Sequence, residues 1–307
     1  MQWNEWTTIA SEYKLPTDEL LRNISESFEK LNEIDQSHIR SVCYQALLEE
    51  KWVSSKRPYY RVHPNIISPI LRTNLDKIPL SQLMMPKDLE AVHLTFPAGH
   101  QIGGLNNIQS ILMGVVNDDC VDFAIDCIMS NGKSTVHSAH LRTTSDKSIS
   151  EELYQLKHLQ NLQEAAAYYN TDITAQTLLD TIANAVKICI VCKFIHDCEE
   201  SELIQFDVLS KYKEQFVHAD QLRKADLISK TIRRGKRGWN IGTSLLDYAG
   251  DYGFRSKEHG ASGRELSSAH IRSGHLHIVR YGDGKKNIRV KFFRPTVVRP
   301  DLPFKHE

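Results

Sequence analysis

Apolar and polar positions alternate with two different periods along this chain, and the period marks the elements. Near the N-terminus the spacing is helical. Thr17 is placed to cap DELLRNISESFEKLNEI, and Asp35 or Ser37 to cap SHIRSVCYQALLEEKW. Pro64 and Pro69 then mark a connector, so residues 1–75 read as an N-terminal helical part. Beyond them the period falls to two. Ala91–Phe96, Ser110–Val116 and Val121–Met129 alternate as strands between Gly, Asn and Asp turns, which predicts an antiparallel sheet. Residues Ser150–Tyr169 return to helical spacing behind Ser148 or Ser150 as cap. In Leu178–Ile195, apolar residues recur at Leu178, Ile182, Ala185, Cys189 and Cys192, which predicts a buried helix. Asp247–Ser267 is polar and carries Gly250, Gly253, Gly260 and Gly263, so it reads as a loop. The pattern predicts an α+β fold: a helical part over 1–75, then a body over 76–307. That body holds an antiparallel sheet, packed helices and a C-terminal β-hairpin rich in His and Arg.

The hairpin is the sharpest element. His275–Tyr281 and Asn287–Phe293 are alternating runs joined through Gly282-Asp283-Gly284, and Pro295 stops the second. Successive strand residues point to opposite faces. Leu276 and Ile278 therefore share one face with Ile288, Val290 and Phe292. The other face carries His275, His277 and Tyr281 with Arg289 and Lys291. One face is core, and the other is imidazole and cation.

Such a face suits an anionic ligand, phosphate above all. Arginine offers a planar fork to phosphate oxygens, and an imidazole with an ordinary pKa of roughly 6.5 exchanges protons near neutrality. His275 and His277 are therefore candidates for metal-independent acid–base cleavage of RNA. The H-x-H spacing also suits a metal, but no acidic or thiol ligand lies beside it, so phosphate is preferred. A merely solvated cationic face is the plainer alternative. A second basic stretch, Lys230, Arg233, Arg234, Lys236 and Arg237, runs up to Trp239. A basic run beside an aromatic can track a phosphate backbone and stack a base, so Arg233, Arg234 and Arg237 join Arg289 and Lys291 as RNA-binding candidates.

Composition narrows the rest. Lys and Arg together number 38, as do Asp and Glu, so the formal charge is zero and any nucleic-acid surface has to be local. No apolar run reaches the roughly 20 residues of a membrane helix, and the N-terminus lacks a signal-peptide core, so a cytoplasmic protein without membrane contact is expected. Cys189, Cys192 and Cys198 with His196 imitate a zinc motif, but they lie in or beside the apolar helical run and read as buried helix cysteines. Gly132-Lys133-Ser134 lacks the earlier glycine of a phosphate loop, where Cys127 stands, and no helix pattern follows it. Asp122 and Asp126 share a strand face and read as solvated carboxylates. No G-x-S-x-G occurs, and neither a metal nor a cofactor is called for.

The order of GWNIG (Gly238–Gly242), a polar loop and AHIRSGHLHIVRYGDGKKNIRVKFFRPTVV resembles the C-terminal domain of a type V-A anti-CRISPR family, the second of its inhibitors described. That domain is widespread in phage and plasmid proteins. The matching positions are His270, Arg272, His275 and His277, then Gly282 and Gly284, then Arg289, Lys291 and Pro295. Leu276 stands where the family has an aromatic, and Phe293 where it has tryptophan. The resemblance adds His270 and Arg272 as partners of the two hairpin histidines. It implies a mobile-element inhibitor that lowers production of its target, with RNA or the translation machinery and a protein target, such as a CRISPR effector or its nascent chain, as partners. Two other readings stay open on the residues: a toxin-like ribonuclease using the paired histidines, and a pure protein-binding module.

Overall fold

The computed structural model describes residues 45–85, 89–96, 107–116, 119–128, 134–156, 175–198, 202–243, 270–272, 275–285, 287–293 and 296–298. The expected helix after Thr17, the cap at Asp35 or Ser37 and the loop Asp247–Ser267 lie outside these residues.

The architecture is α+β, built on a seven-stranded sheet. Its strands are β1 (Tyr59–Val62), β2 (Ala91–Thr95), β3 (Asn107–Gly114), β4 (Cys120–Ile128), β5 (Ser134–Arg142), β6 (Ile204–Phe206) and β7 (Gly238–Ile241), in the spatial order β5-β4-β3-β2-β1-β7-β6. The sheet is mixed rather than wholly antiparallel. β1 runs parallel to both β2 and β7, while the other pairs are antiparallel. Parallel neighbours need a crossover. Between β1 and β2 it contains the helix Pro64–Leu71, in the stretch expected to be a connector. Pro64 suits the first turn, where its missing N–H costs nothing, and the His63 ring accepts the Asn65 amide at 3.3 Å.

Four strands of the sheet, β1, β5, β6 and β7, have no counterpart in the sequence analysis. β1 lies inside the stretch expected to be helical. β5 begins at Ser134, so a strand and not the helix of a phosphate loop follows there. Ser148 caps the helix Ile149–Leu156 as expected: its hydroxyl accepts the Glu151 amide at 3.2 Å, and its own amide donates to the Glu151 carboxylate at 2.6 Å.

The two faces of the sheet differ in chemistry. One carries Val92, Leu94, Ile111, Met113, Phe123 and Ile125, all buried. Against it packs the helix Ala175–Asp197, whose Ile182, Val186, Ile188, Ile190 and Phe194 are buried on every side. Such all-round apolarity belongs to a helix enclosed by other elements. Here the helices Pro64–Leu71 and Ile149–Leu156 and the C-terminal hairpin contact it as well as the sheet. Cys189 and Cys192 are core residues, and burial pushes both thiols far up, as the helix reading expects.

The opposite face mixes Ala91, Leu112 and Ala124, packed under Leu48 and Trp52 of helix 45–54, with His93, Ser110, Asp122, Asp126 and His140. Asp122 and Asp126 are buried rather than solvated, at 1 % and 7 % exposure. Asp122 is held by two partners: its Oδ1 lies 2.6 Å from His140 Nδ1, and its Oδ2 accepts the Val116 amide at 2.9 Å.

Candidate nucleic-acid interface

The C-terminal ribbon forms as its alternation dictates. β9 (His275–Tyr281) pairs antiparallel with β10 (Asn287–Phe293) through a turn in which Gly282, Gly284 and Lys285 all take positive φ. That conformation is open to glycine and costly for lysine. Leu276, Ile278 and Val290 are buried in the main core, while His277, Arg289, Lys291 and Phe293 are exposed. The expected division into a core face and a cationic face is therefore present.

Polar contacts fix the ribbon on the body. The Arg280 guanidinium donates to the Lys285 carbonyl at 3.1 Å and the Lys77 carbonyl at 3.3 Å, and the Gln82 amide donates to the Lys285 carbonyl at 3.1 Å. At the other edge, Cys198 lies just beyond the helix Ala175–Asp197. Its sulfur accepts the Val290 amide at 3.2 Å and its thiol donates to the Ile288 carbonyl at 3.4 Å.

On the exposed face the register sets His275 opposite Phe293, His277 opposite Lys291 and Val279 opposite Arg289. The His275 ring stacks on Phe293, the His277 ring is tilted towards the same phenyl at 5.8 Å, and the Arg289 guanidinium lies 5.1 Å from the Tyr281 ring centre. The result is alternating rings and cations on a rigid support. Neither histidine has a carboxylate partner among the described residues. A general base is usually oriented by such a partner, so the geometry offers stacking and phosphate contact more readily than proton transfer.

His270 and Arg272 lie on a different two-stranded ribbon. It pairs β8 (His270–Arg272) with β11 (Thr296–Val298), setting Arg272 opposite Thr296 and His270 opposite Val298.

The basic stretch before Trp239 is not a free cationic loop. Lys230 and Arg233 belong to the last turn of the helix Gln221–Arg233, and Lys230 pairs with Asp226 at 2.8 Å. Lys236 is engaged with Asp207 at 3.0 Å and the Val208 carbonyl at 3.1 Å. Arg237 is half-buried over Trp239, whose ring packs on Tyr60, His196 and Phe206 rather than facing a ligand. Of the expected RNA-binding residues in this stretch, Arg233 and Arg234 are exposed.

The sequence reading did not find the Asp207 cluster. Asp207 accepts the Tyr59 hydroxyl at 2.6 Å and lies 3.5 Å from Arg61. Burial pulls its carboxyl pKa up, but the hydrogen bonds from Tyr59 and Lys236 and the charges of Lys236 and Arg61 outweigh that and hold it below the usual range. Tyr59 lies beside Gly238 across the β1–β7 pair, where any Cβ would fall on the phenol ring. The cluster thus ties β7, and with it the end of the basic stretch, to the middle of the sheet.

The fold and the ribbon define a mixed α+β protein with an aromatic and cationic hairpin docked on its body. More particularly, the chain belongs to the AcrVA2-like family, the anti-CRISPR type V subtype A2 family, whose model matches residues 60–300. The match spans the seven-stranded sheet and both ribbons. No curated protein matches the chain.

Proposed function

We propose that the protein is an inhibitor of phage or plasmid type that lowers production of its target in the cytoplasm. In this reading it recognises a protein target, such as a CRISPR effector or its nascent chain, and engages RNA through the exposed face of β9 and β10. The observation that carries the reading is the cross-strand array of His275, Phe293, His277 and Lys291. Stacked rings interleaved with cations suit single-stranded nucleic acid, because every base has a face to stack and every phosphate a charge to meet. Family membership supports the anti-CRISPR role.

The test is a reporter whose protein and transcript levels are both followed in cells. Replacing His275 and His277 together by alanine should abolish the inhibition while the far-UV spectrum and melting temperature stay unchanged. Full inhibition by that variant would sink the reading. Incubating the pure protein with labelled RNA and EDTA separates binding from cleavage, since only a metal-independent ribonuclease cuts under those conditions. The absence of a carboxylate beside either histidine among the described residues favours retention without cleavage.

A further inference from the structure

Two turns far apart in sequence meet at one end of the large sheet. Helix 45–54 runs through Ser55, Lys56, Arg57 and Pro58 into β1, and the helix Gln221–Arg233 runs through Arg234, Gly235, Lys236 and Arg237 into β7. β1 and β7 are parallel neighbours, so both turns lie at the same end of the sheet. They are joined where the Tyr59 amide donates to the Arg237 carbonyl at 3.0 Å. The turns are also built alike. In one, the Lys56 and Arg57 amides donate to the Val53 and Trp52 carbonyls; in the other, the Gly235 and Lys236 amides donate to the Ile232 and Thr231 carbonyls. This way of ending a helix needs a left-handed residue, which favours glycine. The turn before β7 has Gly235 there, at φ 78°, but the turn before β1 has Lys56 at 66°, followed by Arg57 at 53°. Two basic side chains therefore occupy strained backbone positions, and such strain gathers at functional sites.

Charge gathers there as well. Residues 55–61 and 230–238 carry eight Lys and Arg and no Asp or Glu, in a chain whose formal charge is zero. Three of the eight are engaged: Lys230 with Asp226, and Lys236 and Arg61 with Asp207. Lys56, Arg57, Arg233 and Arg234 are exposed and form no ion pair among the described residues. The exposed carboxylates of the neighbouring elements, Glu50 on helix 45–54 and Glu90 just before β2, pair with neither turn. The rings nearby are already committed. Trp52, under the Arg57 guanidinium, is buried, Trp239 packs on Tyr60, His196 and Phe206, and the Tyr59 hydroxyl is bound to Asp207.

We propose that these twin turns bind the phosphate backbone of double-helical RNA through Lys56, Arg57, Arg233 and Arg234. Cations without an open ring beside them meet phosphates but stack no bases. A single strand draws much of its affinity from stacking, whereas a duplex keeps its bases inside and turns its phosphates outward. The choice of RNA over DNA rests on the RNA reading of the β9–β10 face; the phosphate contact itself does not.

The test measures binding of the full chain to a labelled blunt-ended RNA duplex, to the DNA duplex of the same sequence, to one RNA strand alone and to polyglutamate, at several salt concentrations. Lys56→Gly/Arg57→Gly suits the backbone of its turn, so the melting temperature should hold or rise while duplex binding weakens. Arg233→Gln/Arg234→Gln should weaken duplex binding as well. Each pair should flatten the slope of log affinity against log salt by about 0.9 for every cation removed. Phe293→Ala, on the hairpin, should leave duplex binding intact, and the RNA duplex should bind at least as tightly as the DNA. If the single strand fails to bind the hairpin face while the turn variants still lose the duplex, the reading of that face falls and this one stands. The proposal is overturned by full duplex affinity in both paired variants, which would leave the cations serving only the helix ends. It is also overturned by loss of duplex binding in Phe293→Ala, by a preference for the DNA duplex, or by polyglutamate binding as tightly as the RNA duplex, which would point to an acidic protein partner.

Discussion

The imidazole of His275 lies nearly parallel to the phenyl ring of Phe293, with centroids 5.2 Å apart and planes inclined by 14°. The two residues are register partners on β9 and β10, so the stack joins the strands across their exposed face. Phe293 is 46 % exposed and contributes little to the core. If its ring is a stacking platform, Phe293→Ala should lower affinity for single-stranded RNA by about 1–3 kcal/mol per stacked base, leaving the fold unchanged. Phe293→Trp should retain or strengthen binding. Fluorescence anisotropy with a labelled oligonucleotide measures both, and equal affinity in the alanine variant would remove the platform role.

Lys291 and Arg289 are expected to act through phosphates, not bases. Each phosphate contact made to a single strand adds about 0.7 to the slope of log affinity against log salt. Lys291→Ala and Arg289→Ala should each flatten that slope by about this amount and weaken all sequences alike. Titrations at several salt concentrations with two unrelated RNA sequences check it. A sequence-dependent loss with an unchanged slope would assign these residues to base reading instead.

The parts of the molecule legible in the sequence were those set by local pattern. Alternation and the Gly-Asp-Gly turn placed Leu276 inside and His277 outside, and helical spacing placed Cys189 and Cys192 in the core. Contacts between distant segments were not legible. Tyr59–Val62 is four residues long, and its partners come from 91–95 and 238–241, so nothing nearby announces a strand. Ser134–Arg142 (STVHSAHLR) looks too polar for a strand, because one of its faces meets buried polar groups such as Asp122. Lys236 read as a free cation, since its partner Asp207 lies across the chain.

Asp207 supplies an acid-dependent contribution to stability. Its folded pKa lies below the ordinary carboxylate value of about 3.9, so the contribution is complete above that pH and is lost as pH falls through the depressed value. Asp207→Asn should therefore destabilise at neutral pH and flatten the acid limb of the stability profile. The cost should be on the order of 3 kcal/mol, the low end for removing one partner of a buried pair, because Arg61 and Lys236 keep access to water. Urea unfolding between pH 2 and pH 7 measures both effects. An unchanged acid limb would remove Asp207 from this role.

His93 acts in a higher pH window. It is packed edge-on against Trp52 at 5.2 Å, and burial pushes its pKa down to about 4. The native state therefore resists protonation while the unfolded chain takes a proton near pH 6.5. Stability is whole above about pH 6.5, declines as the pH falls, and stops declining from this source below about 4. The loss across that window should approach about 3 kcal/mol. His93→Gln should flatten the profile between pH 6.5 and pH 4 and leave the limb below it unchanged, as melting curves at stepped pH will show.

Cys198 links the end of the long helix to the outer edge of β10, through the Val290 amide and the Ile288 carbonyl. Alanine would leave both backbone groups without that partner, at about 1 kcal/mol, the low end for such groups because the edge is only partly buried. Serine, which also accepts and donates, should recover most of the loss. Faster hydrogen exchange at the Val290 amide in Cys198→Ala, with recovery in Cys198→Ser, checks the contact directly. The same bonds should limit reactivity. Burial raises the thiol pKa and outweighs the lowering by the Val290 amide; the Asp197 charge adds to the rise and the Arg289 charge opposes it. Less thiolate is then present at neutral pH, so alkylation should be slower than for an exposed cysteine. If the exposed face works only when the ribbon is held in place, Cys198→Ala should weaken RNA binding although Cys198 bonds the edge of β10 and not the stacked rings. Loss of Val290 protection without any loss of RNA affinity would show that the face binds independently of its docking.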